Sequence, residues 1–486
     1  MKTNIAIVAA LSFLLLSCSG ESEPISISPE DYHASVDKVT EVMVHDIFSP
    51  PVASRIYVYP NIAAYEIMAL HNPAYKSLAG QVTDLEPIPS PEAGSGVNYP
   101  LAALVAHMDL SRQLIFSEER VTEFRDSLYS RWSEINEEEF EASRDYGLEV
   151  AAFISEWMDK DNYKQTRTMS KFTVNTDEPS RWQPTPPAYM EGIEPHWNKI
   201  RTLVIDSAAQ FKPAPPVPFS MEEGSDFHRE LMEVYEVGNA ITEKGDESEE
   251  VAIARFWDCN PYVSVTRGHL MFATKKISPG AHWIGIAKIA CRKDGSDFDK
   301  TVFAYTKTSI ALFDGFISCW DEKYRSNLIR PETLINQHID DSWKPVLQTP
   351  PFPEYTSGHS VVSGAAATAL TSIFGDNFAF DDDTELPYGL PVRSFNSFNE
   401  ASAEAAISRM YGGIHYRMAI EVGLDQGRSL GGYVVDQLEM NQRQTAMAAT
   451  AGGTANTTAA ANTTATANTT ATANTTAAAN TTANEE

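Results

Sequence analysis

From Val52 to His71 the chain is apolar nearly all round, interrupted by single polar residues and by Pro60. A run of this length, spaced for a helix and not alternating as a strand, must be covered on every side by other elements. The rest of the chain supplies helices to cover it. Tyr32 to Ile47 places Val36, Val39, Val42, Met43 and Ile47 on one face. Leu101 to Phe116, Ala142 to Met158, Phe227 to Ile241, Ser248 to Phe256 and Phe298 to Cys319 carry helical periodicity. So do Val361 to Phe374, Ala401 to Arg409 and Tyr416 to Leu438. Strand-like alternation is scarce and no βαβ rhythm appears. The expected fold class is therefore all-α: helical bundles, two four-helix-bundle-like cores, joined by long loops. Proline-rich stretches at 87–100, 179–195 and 213–218 mark those loops. The last marks either a boundary near 220, between an N-terminal helical part (31–219) and a second bundle (220–440), or a loop within one folded body. A chain of 486 residues is long enough for two such cores.

The two ends differ from the middle. Met1-Lys2, an apolar run from Ile5 to Leu16 and then Ser17-Cys18 read as a secretory signal, too short for a settled membrane span. Leu15-Leu16-Ser17-Cys18 resembles a bacterial lipobox. That resemblance implies removal of residues 1–17, lipidation of Cys18, a flexible tether over 18–30, and an exported lipoprotein in the periplasm or at the outer-membrane or cell surface. At the other end Ala-Asn-Thr-Thr units recur, with Asn at 456, 462, 468, 474 and 480. No large apolar side chain occurs there, so residues 446–486 are expected to form a disordered tail without chemistry. In an oxidising compartment Cys259, Cys291 and Cys319 allow one disulfide and one free thiol, or three buried thiols.

The formal net charge is −29. Such a balance argues against nucleic acid, or an anionic membrane surface, held by a general basic field. An anion site here must be a local cluster of cations, and the segment from 320 to 415 holds one. Lys323 and Arg330 are seven residues apart, about two helical turns, which predicts both on one helix face with Pro331 ending the helix. Thr356-Ser357-Gly358-His359 opens a helix of small residues. Its hydroxyl and bare N–H groups form an anion cradle. Ser408-Arg409 and His415 flank a turn at Gly412-Gly413 that lets their side chains converge. Each piece alone is commonplace. Together they offer three cationic donors, an N–H cradle and two histidines, and the economical use of that set is to hold a tetrahedral oxyanion.

In order and spacing these motifs resemble the superfamily of vanadium-dependent haloperoxidases and type 2 phosphatidic acid phosphatases. They stand here as Lys323-x6-Arg330-Pro331, Thr356-Ser357-Gly358-His359 and Ser408-Arg409-x5-His415-x3-Ala419. Two positions depart from the pattern: Thr356 replaces a proline, and Ala419 replaces the aspartate that orients the attacking histidine of the phosphatases. The run from Pro351 to His359, and Tyr411 to Met418, look like the bacterial iodoperoxidases of the family.

The resemblance implies vanadate as cofactor, with His415 its sole protein ligand. Lys323, Arg330, Ser357, Gly358, His359 and Arg409 would surround its oxygens. Hydrogen peroxide would oxidise a halide to hypohalous acid through a peroxovanadate bound to His415. His359 would be the acid–base group and Lys323 a polarising cation. Trp320 and Phe352 would line the pocket, with Tyr262 and Asp321 as outer candidates. Iodide is the expected halide and bromide the alternative. In the phosphatase alternative His415 attacks phosphorus and His359 protonates the leaving group. A third reading is a non-catalytic surface lipoprotein. The acidic runs Asp381 to Glu385 and Asp294 to Asp299 lack a full EF-hand pattern and read as solvated loops. No histidine pair has the spacing of a zinc protease.

Overall fold

The computed structural model describes residues 23–441, apart from 262, 263, 268, 269 and 274. The expected leader with Cys18, Tyr262 and the 446–486 repeat lie outside the described residues.

Within them the chain is helical. First come α1 (Pro29–Asp46), α2 (Pro50–His71), α3 (Tyr99–Leu114), α4 (Glu118–Ile135), α5 (Glu137–Met158) and the short α6 (Tyr163–Thr166). A long loop leads to α7 (Asp226–Lys244) and α8 (Glu249–Phe256), then to the antiparallel pair β1 (Ser264–Arg267) and β2 (Leu270–Ala273). Next follow α9 (Pro279–Asp294), α10 (Phe298–Ser326), α11 (Pro331–His338) and α12 (Gly358–Phe374). The antiparallel pair β3 (Phe380–Asp382) and β4 (Arg393–Phe395) precedes α13 (Phe398–Tyr411) and α14 (Arg417–Gln437). No helix among the described residues is long and apolar enough to cross a membrane.

Local chemistry explains where the helices begin. Ser28, Ser49, Asn98, Asn136, Ser225, Ser278, Asp297, Ser357 and Ser397 each cap a helix with a side-chain oxygen on a first-turn N–H. Proline sits at the first helical positions of α1, α2, α3, α9 and α11, where no intrahelical N–H is needed. As its sequence requires, α2 is buried from Pro50 to Met68, and it continues through Pro60.

The helices form two packed groups around α10. On one side α2 packs with α3 and α5, flanked by α1 and α4; on the other α12 packs with α13 and α14, flanked by α9. The proposed boundary near 220 does not separate their interiors. One apolar cluster runs from Ile25 to Met440 and takes residues from both sides of it. Residues 23–30 are likewise part of the fold and not of a tether: Ile25 is buried, its N–H donates to Glu139 Oε2 (2.7 Å), and α1 begins at Pro29. Cys259, Cys291 and Cys319 are three buried free thiols.

Candidate active site

Five of the sequence motifs' side chains arrive from five different helix ends. Lys323 is in the last turn of α10. Arg330 does not share that helix, contrary to the spacing argument. Asn327 closes α10 in the left-handed conformation (φ 48°, ψ 40°), and the chain runs extended to Arg330, which caps α11. Pro331 therefore starts a helix where it was expected to end one, because its missing N–H is harmless at the first position. Ser357 caps α12, and its hydroxyl accepts from the Ser360 N–H (3.3 Å). Arg409 lies in the last turn of α13, and His415 in the turn that follows, just before Tyr416 caps α14. That turn needs Gly413, whose φ is +72°.

Helices α12 and α14 run parallel and very close. A Cβ added at Gly423 would sit 3.1 Å from the Ser357 carbonyl, at Gly427 2.0 Å from that of Val361, and at Gly431 2.8 Å from that of Ala365. Both N-termini therefore point to the same end of the bundle, where their aligned dipoles favour an anion. Trp320, Phe352, Gly358, His359, Arg409 and His415 line one pocket there.

The imidazole of His415 is held from both sides. Nδ1 is 2.7 Å from Glu354 Oε1, and Nε2 is 3.1 Å from Arg330 Nη1. A guanidinium only donates, so Nε2 carries the lone pair and Nδ1 donates its hydrogen to the carboxylate. Burial, then the nearby charges of Arg330, Lys323 and Arg409, hold the ring's pKa well below the ordinary histidine value, so it is neutral. Burial likewise holds His359 well below that value, with Arg409 and His282 adding to the effect. Its Nε2 is buried without a hydrogen-bond partner, while the Trp257 carbonyl hydrogen-bonds the ring.

Glu354 is the group that the sequence reading missed. It lies in the quoted run from Pro351 to His359, but only the fold brings it to His415. Its Oε1 also accepts the Tyr416 N–H (3.0 Å). Burial pushes its carboxyl up to about 8, against the pull of Arg330 and Lys323. The available signal was a deficit: Ala419 leaves His415 without its expected carboxylate, and Glu354 is the one acid among 351–359.

The cations are placed unequally. Arg330 donates from Nε to the Phe352 carbonyl (3.0 Å) and from Nη1 to that of Ile414 (2.8 Å), while its buried Nη2 has no partner. Arg409 donates from Nε to Ser408 Oγ (3.0 Å) and from Nη2 to the Trp257 carbonyl (2.6 Å). Lys323 Nζ donates to the carbonyls of Pro353, Glu354 and Thr356 at 3.1, 3.0 and 2.6 Å. All three of its hydrogens are thereby used, and burial lowers its pKa to about 8. In this structure Lys323 clamps the 353–356 loop, and of the three cations only Arg409 lines the pocket. Phe352 lies against both Lys323 Nζ and Arg330 Cζ, 5.1 and 5.2 Å from its ring centre, and packs on Trp320. Asp321 does not join them. It accepts from Asn198 Nδ2 (2.8 Å) and pairs with Arg325 one turn on.

A pocket lined by Arg409, His415 and the first turn of α12, with the unpartnered Nε2 of His359 in it and Arg330, its Nη2 unpartnered, bonded close behind His415, defines a helical-bundle protein suited to hold a tetrahedral oxyanion. Comparison with known proteins agrees. The family model for the VCPO second helical-bundle domain matches residues 303–444. A bacterial vanadium-dependent iodoperoxidase of known structure is 68% identical, covers 87% of this chain and 99% of its own, and superposes with a TM-score of 0.84. The holo form of a bacterial vanadium-dependent chloroperoxidase shares the fold at 15% identity, with the same coverages and a TM-score of 0.64. No curated protein sequence matches. The chain belongs to the vanadium-dependent haloperoxidases.

Proposed function

We propose that the protein binds vanadate at His415 and uses hydrogen peroxide to oxidise iodide to hypoiodous acid. The observation that carries this reading is the neutral His415 ring, with its lone pair on Nε2 at the edge of a pocket that Arg409, Gly358 and His359 also line. The residues present fit an oxyanion. The buried, unpartnered Nη2 of Arg330 is a donor lacking an acceptor, a costly arrangement that an anionic oxygen relieves. Arg409, the Ser357 hydroxyl and the first-turn N–H groups of α12 add further donors.

Vanadate, when bound, supplies a Lewis-acidic centre that activates peroxide without changing its own oxidation state. The chain's part is to hold it and to move protons. His415 offers Nε2 as the ligand atom, and Glu354 keeps the hydrogen on Nδ1. His359, neutral and unpartnered at Nε2, takes a proton from peroxide and returns it to the departing oxygen. Lys323 keeps Glu354 and Ser357 in place by bonding the loop between them. The sum balances: hydrogen peroxide, iodide and one proton give hypoiodous acid and water. Iodide gives up two electrons as the O–O bond breaks. Trp320 and Phe352 suit a large, weakly hydrated halide at the pocket wall. Similarity to an iodoperoxidase and the ease of iodide oxidation make iodide the preferred halide over bromide.

A second reading gains support from Glu354. By backing His415 Nδ1 with a carboxylate, it restores the pair that the phosphatase mechanism needs and that Ala419 seemed to remove. One assay separates them. Purified protein is given peroxide and iodide, then bromide, before and after orthovanadate, with a phosphomonoester tested in parallel without vanadate. Iodide oxidation that needs vanadate and vanishes in His415→Ala supports the peroxidase. Phosphoester turnover inhibited by vanadate, with no peroxide chemistry, would replace it. The lipobox at Leu15 to Cys18 supports an exported, lipid-anchored mature protein, and release of Cys18→Ser from the membrane fraction tests that.

A further inference from the structure

At the edge of the pocket, three segments distant in sequence bring three metal-ligating side chains together, and one of them, Cys259, also lines the pocket. Cys259 follows α8, His282 lies in the first turn of α9, and Glu385 stands just after β3; all three are buried. Cys259 Sγ is 3.5 Å from His282 Nδ1 and 4.0 Å from Glu385 Oε1, and Nδ1 is 3.6 Å from that oxygen. Zinc bonds to sulfur, nitrogen and oxygen in tetrahedral geometry place such ligand atoms about 3.3–3.6 Å apart. The triangle needs only a small contraction to close on one ion.

The histidine is already oriented for it. Its Nε2 is 2.9 Å from Asp382 Oδ2, and the other oxygen of Asp382 is held by the Thr384 N–H (3.1 Å) and hydroxyl (2.6 Å). A carboxylate on Nε2–H leaves Nδ1 facing Cys259 and Glu385, the nitrogen that an incoming ion would take from its hydrogen. This is the carboxylate–histidine–metal relationship by which proteins aim a ligand. The acidic run expected to be a solvated loop thus buries Asp382 and Glu385. A thiolate, a carboxylate and a neutral imidazole together balance one divalent charge. Thiolate and imidazole donors select zinc or a similar transition metal over calcium or magnesium, which take oxygen ligands.

We infer that Cys259, His282 and Glu385 bind one divalent transition-metal ion, zinc fitting best, in a site that adjoins the vanadate pocket through Cys259. A solvent molecule completes the fourth position. The ion would brace the vanadate cradle. Trp257 stacks on His282 (ring centres 4.4 Å apart, 17° between planes), and the Trp257 carbonyl holds Arg409 Nη2.

The test uses the full chain. Wild type, His415→Ala, Cys259→Ser and Glu385→Gln are incubated with zinc, desalted and assayed for bound metal, with folding followed by circular dichroism. Zinc should stay at one ion per chain in wild type and in His415→Ala, and bind about tenfold or more weakly in the other two. Cobalt should give a thiolate-to-metal charge-transfer band in wild type that Cys259→Ser lacks. Folded wild type that retains no zinc and shows no cobalt band overturns the inference. So does a folded Cys259→Ser that holds zinc as wild type does. If the variants fail to fold, the wild-type cobalt spectrum decides alone: the band supports the site and its absence removes it.

Discussion

Glu354 is bonded to His415 and to the backbone N–H of Tyr416 through one oxygen, and that shared oxygen makes its role separable from its shape. Glutamine at 354 keeps an acceptor in the same place. It would hold the same histidine tautomer but remove the carboxylate that makes Nε2 a better donor to a metal. Glu354→Gln is therefore expected to fold as wild type and to lose about 10–100-fold in vanadate affinity or in turnover. Glu354→Ala should also lose stability, by about 1–3 kcal/mol, because the buried His415 Nδ1–H and Tyr416 N–H then lose their acceptor. Vanadate titrations followed by iodide oxidation, with thermal melts alongside, check both; a Glu354→Gln protein that binds vanadate as wild type does would leave Glu354 no positioning role. The other cradle residues were readable from order and spacing, since Ser357, Gly358, His359, Arg409 and His415 follow a local pattern. Glu354 was not, because its partner is distant in sequence and no spacing rule connects them. Lys323 was readable as a cation but not as a clamp on three carbonyls, since backbone acceptors leave no mark in side-chain identity.

Two parallel helices bring His359 and His415 to one end of the bundle, and glycines set how near they come. At Gly427 a Cβ would lie 2.0 Å from the Val361 carbonyl, which is backbone and cannot turn aside. Gly427→Ala must push α14 away from α12 and carry His415 from His359. We expect a loss of roughly 3 kcal/mol, at the upper end for overpacking, together with most of the vanadate binding. Gly432 is the internal control. It lies in the same helix with nothing within 4 Å of its Cβ position, so Gly432→Ala should be neutral or stabilise by up to about 1 kcal/mol. Denaturant unfolding of the two variants tests the pair, and equal effects would mean that the close approach does not matter. Which helices the sequence disclosed follows the same physics of burial. Helix α2 was plain because it is buried all round. Helix α4 was not, because only Val121 and Trp132 of its residues are buried and most of the others are charged or polar. Helix α9 opens on Ser278-Pro279-Gly280, which reads as a turn until Ser278 is seen to cap it. Seven-residue spacing misled at Arg330 because Asn327 ends α10 first.

The molecule as a whole depends on α10, which both halves share. From Phe298 to Tyr305 every residue but Asp299 and Lys300 is buried, and burial continues to Trp320. A helix buried over such a length must be covered on more than one face. Helix α2 supplies one cover, and the Thr306 hydroxyl donates to the Asn61 carbonyl there (3.0 Å). Helices α9 and α12 supply the other. Asp314, deep in α10, accepts the N–H groups of Leu203, Val204 and Ile205 at 2.8, 2.8 and 3.1 Å. Burial raises its carboxyl to about 6. Without residues 203–205 that carboxyl would have no donor in place of water. The C-terminal end closes the same circuit, since the Met440 carbonyl accepts from the Lys76 N–H (3.0 Å) and the Tyr65 hydroxyl (2.8 Å). A chain of residues 220–441 holds every cradle residue, and were 220 a boundary between independent domains it would fold and bind vanadate alone. The packing argues the reverse. That fragment exposes the α2 face of α10, an apolar area that only collapse or aggregation can cover, and leaves Asp314 without its donors. Expressed alone it should melt without a cooperative transition and exchange the amide hydrogens of α10 rapidly, and co-expression with residues 23–219 should restore both protection and vanadate binding. A 220–441 fragment that unfolds cooperatively and binds vanadate as the whole chain does would show that α10 needs only its α12 side, and that the site stands on half of the molecule.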